Sequence, residues 1–263
     1  MKDKEISFEE RKSLQLEMLK EIDAFCRKNS IRYALSCGTL IGAVRHNGYI
    51  PWDDDVDITM MYTDMQKFRQ CFESENLKYC DIDTEPNYEF HFSRIVSKKT
   101  YSKLGFKKRY GVCIDIYPII ECTDNLKTIN KLVAKGSKFL KKRLTYIKWY
   151  YRILKFTPFS TLPGFKESIR NYYDFMINEV QLIGGGNYYQ MGGPLEGTDN
   201  NFYHNMWNFN PLEEVVNHIF ENETFWIPAK YDKFLTTRYG DYMKLPPEDE
   251  RIAYHGGHYY WNK

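Results

Sequence analysis

The chain has 263 residues, enough to bury one sizeable core or form two modest domains, and its 43% hydrophobic and 27% charged residues exclude wholesale disorder. Its longest apolar runs span only a few residues, far short of the roughly 20 needed to cross a bilayer. The net charge of +2 hides a segregation: residues 127–170 hold 12 Lys/Arg against one acid, Glu167, which leaves the remainder at −9.

The charged opening, MKDKEISFEERK, has no apolar segment behind it, which predicts no secretory leader and a cytoplasmic protein. Ser7-Phe-Glu-Glu10 has the spacing of a capping box, and Leu14, Met18, Ile22 and Phe25 share one face, so a helix is predicted over 8–28. Ile31 to Cys37 alternates as a strand does. Gly38-Thr39 then turns into a short helix, LIGAVRH, closed by Asn47-Gly48. A Pro-Trp turn leads into a strand over 55–61, followed by a helix from about Asp64 to Ser74 and strands over 78–83, 89–97 and 111–117. From about 124 the pattern is helical, interrupted at Thr157-Pro158 and Pro163-Gly164, and a glycine-rich loop (Gly184 to Pro194) precedes the C-terminal section. There are no internal repeats. Strands early and helices late predict an α+β protein: a mixed-sheet catalytic core over 1–123 and a mainly helical lobe over 124–263 whose C-terminal element returns to the site.

Six scattered cysteines (Cys26, Cys37, Cys71, Cys80, Cys113, Cys122) without a C-x-x-C pair predict reduced, mostly buried thiols. Aromatics reach 17%, with 22 Tyr; such a surplus suits sugars or quaternary ammonium groups held on ring faces, or simply an aromatic-rich core. The basic segment carries Leu132, Phe139, Leu140, Leu144, Ile147, Tyr151 and Leu154 at three- and four-residue steps, an amphipathic helix with Lys/Arg on the other face. Two readings stay open: a solvated helix, or peripheral contact of 127–170 with an anionic membrane surface or a polyanionic glycan. No nucleic-acid-binding motif accompanies it, so nucleic acid is not expected as a partner.

The most informative stretch is Gly38-Thr-Leu-Ile-Gly-Ala-Val-Arg-His-Asn-Gly-Tyr-Ile-Pro-Trp-Asp-Asp-Asp-Val-Asp57. On a strand Asp55 and Asp57 project the same way, and Asp115 lies on a later strand among Val112, Ile114 and Ile116 of the opposite face. If the two strands are neighbours, three carboxylates converge. Such a group repels itself unless a hard cation sits between its members, and Mg²⁺ or Mn²⁺ suits oxygen ligands that bridge a diphosphate. Gly38-Thr39 at a helix start offers backbone N–H groups and a hydroxyl to a phosphate, with Arg45 in reach. A glycine turn, D-x-D on the next strand and a lone Asp later is the layout of a nucleotidyltransferase-type site.

At these residues the sequence resembles the LicD-family phosphotransferases, bacterial phosphocholine transferases related to the eukaryotic fukutin-related ribitol-phosphate transferases. GTLIGAVRHNGYIPWDDDVDI is similar to the family signature, Tyr239-Gly-Asp-Tyr-Met-Lys-Leu-Pro-Pro247 to its C-terminal element, and Cys113-Ile-Asp-Ile-Tyr-Pro118 lies between them. The resemblance implies a nucleotidyltransferase-like fold, a divalent metal, and transfer of a phospho-alcohol, typically phosphocholine from CDP-choline, onto a hydroxyl of a glycan or lipid-linked glycan. It further implies Asp55 and Asp57 as metal ligands, Asp53 as the nearby acid, and Asp115 as general base or second metal ligand.

Around this centre, His46 joins Arg45 as a phosphate ligand or a helix cap. Trp52 either stacks on cytosine or closes its turn, and Arg94 and Lys98 either meet the diphosphate or stand as edge-strand charges. Asp241 is a site residue or a turn contact. In the C-terminal run, His255 and His258 lack helical metal spacing; as part of a flap they would face phosphate, with Tyr259, Tyr260 or Trp261 caging a trimethylammonium. Two rival functions are a nucleotidyltransferase moving NMP from an NTP, and a calcium-dependent glycan-binding protein. The acid cluster lacks the Gly and Glu of an EF-hand loop, which counts against the second.

Overall fold

The computed structural model describes residues 4–85, 88, 90–104, 107–123, 125–154, 164–180, 186–191, 204–253 and 257–262. The first helix, α1 (Phe8–Lys28), opens on the expected capping box: Ser7 Oγ accepts from Glu10 N (3.1 Å), and Glu10 Oε2 accepts from Ser7 N (2.9 Å). Met18, Leu19, Ile22 and Cys26 bury one stripe of α1, and Arg11 and Gln15 extend that stripe although they are polar. Their reason is local. Arg11 Nη2 donates to Asp54 Oδ2 at 2.8 Å, and Gln15 Nε2 donates to the carbonyls of Asp54 (3.4 Å) and Cys113 (3.3 Å).

Strand β1 (Tyr33–Leu35) runs antiparallel to β2 (Asp57–Met61), with α2 (Cys37–His46) between them in sequence. Asn47 ends α2 in the left-handed conformation, φ 54°. Helix α3 (Tyr62–Cys71) follows, then β3 (Leu77–Cys80), β4 (Ser93–Ser97), β5 (Thr100–Leu104), β6 (Lys107–Arg109) and the long β7 (Cys113–Cys122). In the main sheet the order is β1-β2-β7-β4-β3, with β2 and β7 parallel and the other pairs antiparallel. The mixed α+β character matches the expectation. The strand predicted over 89–97 is shorter, and Lys98 lies beyond it in the turn to β5.

The later half supplies α4 (Leu126–Leu154), α5 (Phe165–Asp174), a π-helical turn (Phe175–Val180), β8 (Tyr188–Met191), β9 (Met206–Trp207), the hairpin β10 (Val215–Phe220) and β11 (Glu223–Pro228), α6 (Tyr231–Tyr239) and β12 (Tyr259–Trp261). Part of the glycine-rich loop is therefore a strand: β8 pairs with the C-terminal half of β7 and carries β9 on its other edge. The main sheet thus crosses the division expected at residue 123. The larger core does too, joining Leu19, Ile58 and Ile116 to Trp207, Phe225 and Phe234. Trp207 ties α6 down by stacking on Phe234 at 4.3 Å and donating its indole N–H to that residue's carbonyl at 3.1 Å. A second cluster joins Ile82, Tyr88 and Ile120 to Ile129, Leu132, Ile169 and Tyr172, so α4 and α5 pack on the β3 side of the molecule. No helix among the described residues is long and apolar enough to cross a membrane.

A small second sheet, β12-β5-β6, stands beside the main one. Its edge strand comes from the far end of the chain, and Ile6 N donates to Tyr259 O (2.8 Å) to tie the N-terminal segment to it.

The Arg11–Asp54 pair is almost wholly buried, with side chains 8% and 0% exposed. Removing one partner strands the other charge in a low-dielectric interior. Arg11→Ala is expected to lower the unfolding free energy by about 3 kcal/mol in urea denaturation, and Arg11→Met with Asp54→Leu to recover most of that loss.

Candidate active site

Register decides the centre of the site. Asp57 on β2 and Asp115 on β7 are direct partners in the parallel ladder, and Arg94 on β4 is the partner of Asp115 on its other side. Partners across a sheet share a face, so two carboxylates and a guanidinium stand in a row on adjacent strands. Arg94 binds Asp115 through two parallel bonds, Nε to Oδ1 (2.6 Å) and Nη2 to Oδ2 (2.9 Å), and Nη1 makes no hydrogen bond to a described residue. Phe90 lies 3.5 Å below the guanidinium carbon.

Asp57 makes no ion pair with any described residue, although Arg238 lies within reach of its charge. Its backbone N–H is held by Thr39 Oγ1 at 2.8 Å, its side chain is buried, and Oδ1 has no hydrogen-bond partner. Burial, then the charges of Asp55, Asp115 and Asp53, push its pKa well above the carboxylate range, and the Cys37 thiol only partly opposes them. Asp53 is pushed up to about 7 by burial and by the charge and hydrogen bonding of Asp55. Carboxylate oxygens of Asp53, Asp54 and Asp55 gather within 4.8 Å of one another. Of these, Asp54 turns inward to Arg11. Asp57 feels the charges of Asp55, Asp115 and Asp53, yet among the described residues only Asp53, Asp54 and Asp55 bring carboxylate oxygens within 4.8 Å of one another; such an all-oxygen set fits a hard divalent cation, and Asp57 and Asp115, expected as ligands, lie outside it.

Gly38 lies directly against that cluster. A Cβ on it would sit 2.5 Å from Asp53 Oδ2. Its neighbour Cys37 takes φ 49°, a left-handed conformation that a non-glycine residue rarely adopts. Thus Gly38 and Thr39 position the acids, since the Thr39 hydroxyl accepts from Asp57 N.

Arg45 and His46 are placed elsewhere. Arg45 Nη1 donates to the carbonyl of Tyr242 (2.7 Å) and Nε to His46 Nε2 (2.9 Å), so it clamps the C-terminal element to α2. Burial and then Arg45 hold the His46 pKa down. Trp52 is half-buried on the core with Arg251 5.5 Å from its ring. Lys98 donates to Ser74 O at 2.7 Å, away from the acids. Asp241 follows α6 in an exposed turn. His255 lies outside the described residues. His258 pairs with Glu5, and Tyr260 stacks on Tyr101 at 5.5 Å, so the C-terminal aromatic run is a paired strand instead of a flap.

Asp55, Asp115 and Arg94 open onto a cavity of about 440 Å³. Its other wall is the small sheet, which contributes Lys103, Arg109 and Tyr259, with Phe90 and Tyr110 between. The pocket therefore joins acids, fixed cations and ring faces, as a charged ligand with an apolar or cationic end requires. Sequence reasoning missed Lys103, Arg109 and Arg11. A usable signal was the alternation Tyr101, Lys103 into Lys107-Lys108-Arg109 around Gly105, which has hairpin punctuation. Arg238 was also missed. It donates to Asn205 Oδ1 at 2.6 Å, and although burial opposes its charge, Cys37, Tyr239, Tyr117 and Asp57 raise its pKa.

Residues 30–163, just over half the chain, match the family described as LicD/FKTN/FKRP, nucleotidyltransferase domain. The chain belongs to the LicD family. Its nucleotidyltransferase-like fold follows, and the matched span holds every acid of the site. The lipopolysaccharide cholinephosphotransferase LicD of Haemophilus influenzae is 26% identical over 265 aligned residues, covering 96% of this chain and 97% of that protein. An uncharacterised protein of Rickettsia typhi is 47% identical over 62 residues, 23% of this chain and 20% of that protein. A second, from Rickettsia prowazekii, is 47% identical over 55 residues, 20% of this chain and 21% of its own length. The LicD likeness thus extends well beyond the nucleotidyltransferase span.

The raised carboxyls give a pH signature. In the folded protein Asp53 holds its proton to about pH 7, whereas unfolded it loses it near 3.8, so its contribution to stability is present at low pH and lost as pH rises through about 7. The metal-free protein should therefore show a melting temperature that falls between about pH 4 and pH 7. Asp53→Asn should flatten that slope in calorimetry; an unchanged slope would mean Asp53 titrates normally.

Proposed function

We propose that this LicD-family chain is a metal-dependent transferase that moves phosphocholine from a CDP-choline-type donor onto a hydroxyl of a cell-surface glycan such as lipopolysaccharide. Two supports meet here. The Haemophilus protein named for cholinephosphate transfer aligns along nearly the whole chain, and a carboxylate group at Asp53–Asp55 stands in the electrostatic field of Asp57, whose buried Oδ1 has no hydrogen-bond partner among the described residues.

In this reading Asp53, Asp55 and Asp57 hold Mg²⁺ or Mn²⁺. When bound, such an ion neutralises charge on a diphosphate and on the phosphoryl group in transfer. The chain's own residues do the rest. Arg94 turns Nη1 to a phosphate oxygen, and Asp115, gripped through both oxygens, keeps that guanidinium in place. The role of general base is therefore assigned away from Asp115, which acts as a positioning residue. Lys103 and Arg109 bind the remaining phosphate charge, and Phe90, Tyr110 and Tyr259 offer faces to the trimethylammonium or the base. The acceptor hydroxyl oxygen forms its bond to the phosphorus distal to cytidine, the P–O–P bond breaks with its bridging oxygen leaving on CMP, and the hydroxyl proton passes to the departing CMP phosphate or to water.

Incubation with Mg²⁺, CDP-choline and a lipopolysaccharide acceptor should release CMP, and Asp57→Asn should slow release by roughly 10³-fold with the fold intact. Turnover unaffected by that change, or pyrophosphate released from an NTP, would refute the assignment. In thermal-shift screens over CDP-choline, CDP-ethanolamine, CDP-glycerol and CDP-ribitol, the true donor is the one that raises the melting temperature in the presence of metal.

A further inference from the structure

The segment with the strongest charge lies outside the site. Helix α4 is a single rod of 29 residues, roughly 43 Å at 1.5 Å per residue, and it contains nine Lys/Arg and no acid. One side is committed: Ile129 and Leu132 are buried in the second core cluster, and Phe139 packs on Phe175 at 5.4 Å. At 3.6 residues per turn, Lys127, Lys131, Lys138, Lys142 and Trp149 fall within about 60° of arc on the side facing away. All five are exposed, Trp149 by 54% although it is the largest side chain of the helix. Lys135 pairs with Glu179, and Arg152 stands 6.0 Å over the Trp149 ring. Lys127, Lys131, Lys138, Lys141, Lys142 and Lys148 make no ion pair with any described residue.

A row of unpaired ammonium groups repels itself in solution and gains by meeting a surface of opposite charge. An indole at the C-terminal end of that row, with Arg152 over its ring, adds a second preference. Tryptophan settles where one end of the ring is apolar and the other wet, at the depth of lipid headgroups. Lysine stems lie along the acyl boundary and send their charges up to phosphates. Nucleic acid would use the lysines equally well, but a single indole without base-edge donors around it matches a bilayer better.

We propose that the outer face of α4 docks on an anionic phospholipid bilayer, flat and along its length, with Trp149 as the interfacial anchor. The apolar side of the helix stays in the protein, so the attachment is electrostatic, peripheral and reversible. It concerns a surface distinct from the acid site and holds whichever donor that site uses.

The test is co-sedimentation of the full chain with vesicles of about 30% phosphatidylglycerol in phosphatidylcholine, against pure phosphatidylcholine. Binding is expected to the anionic vesicles only, and to fall at about 0.5 M NaCl, where the Debye length shrinks to a few ångströms. Lys138→Glu with Lys142→Glu should lower the bound fraction at least roughly tenfold. Trp149→Ala should weaken binding several-fold and, in the native chain, binding should shift tryptophan emission to the blue. Circular dichroism and the melting curve of each variant keep a folding defect from passing as lost binding. Equal pelleting with both vesicle types, binding unaffected by the charge reversal, or capture of polyphosphate or DNA with vesicles left in solution would overturn the proposal.

Discussion

Two carboxylates stand side by side on neighbouring parallel strands, and much of the architecture near them answers that one electrostatic problem. Asp115 is neutralised from the next strand by Arg94. Asp54, adjacent in sequence to the others, is turned inward and neutralised by Arg11 from α1. Asp57 keeps a buried oxygen with no hydrogen-bond partner among the described residues. Two of the acids are thus gripped directly by guanidinium groups, whereas Asp57 is balanced only by the longer-range charge of Arg238.

The same arrangement explains why so many polar residues sit where a core would be apolar. Arg11 and Gln15 occupy the buried stripe of α1 because they hold the Asp54 segment and the start of β7. Thr39 is buried to receive the Asp57 amide, and Gly38 lacks a side chain so that Asp53 can approach. The C-terminal element takes part through Arg45, which reaches across to the carbonyl of Tyr242, and through Arg238.

The elements with strong local signals were readable in the sequence. Ser7 and Glu10 announced α1 to the residue, and the alternation around Ile114 marked β7. Asp57 and Asp115 were also visible, because their neighbours Val56, Ile58, Ile114 and Ile116 must face the core and so fix the acids on the other face. What stayed hidden was set by distant pairing. Arg45 looked like a phosphate ligand because nothing local shows that Tyr242 takes its guanidinium. Tyr188 to Met191 read as loop beside its glycines, yet the free edge of β7 recruits it as a strand. Lys103 and Arg109 belong to a hairpin whose partner, β12, lies about 150 positions later, beyond the reach of periodicity.

That distant pairing has a bearing on how the pocket comes into being. Tyr259 lies against Ser102, and Glu5 bridges to Tyr260, so one side of the cleft is assembled from the two extremities of the described chain. Long-range closures of this kind come late, since the entropy of joining remote segments must be met before their contacts give anything back. The sheet bearing the acids rests on pairings of shorter sequence separation than the one that closes the cleft. Loosening that last strand would open the cleft while leaving the sheet that carries the acids, with its own guanidinium partners, intact.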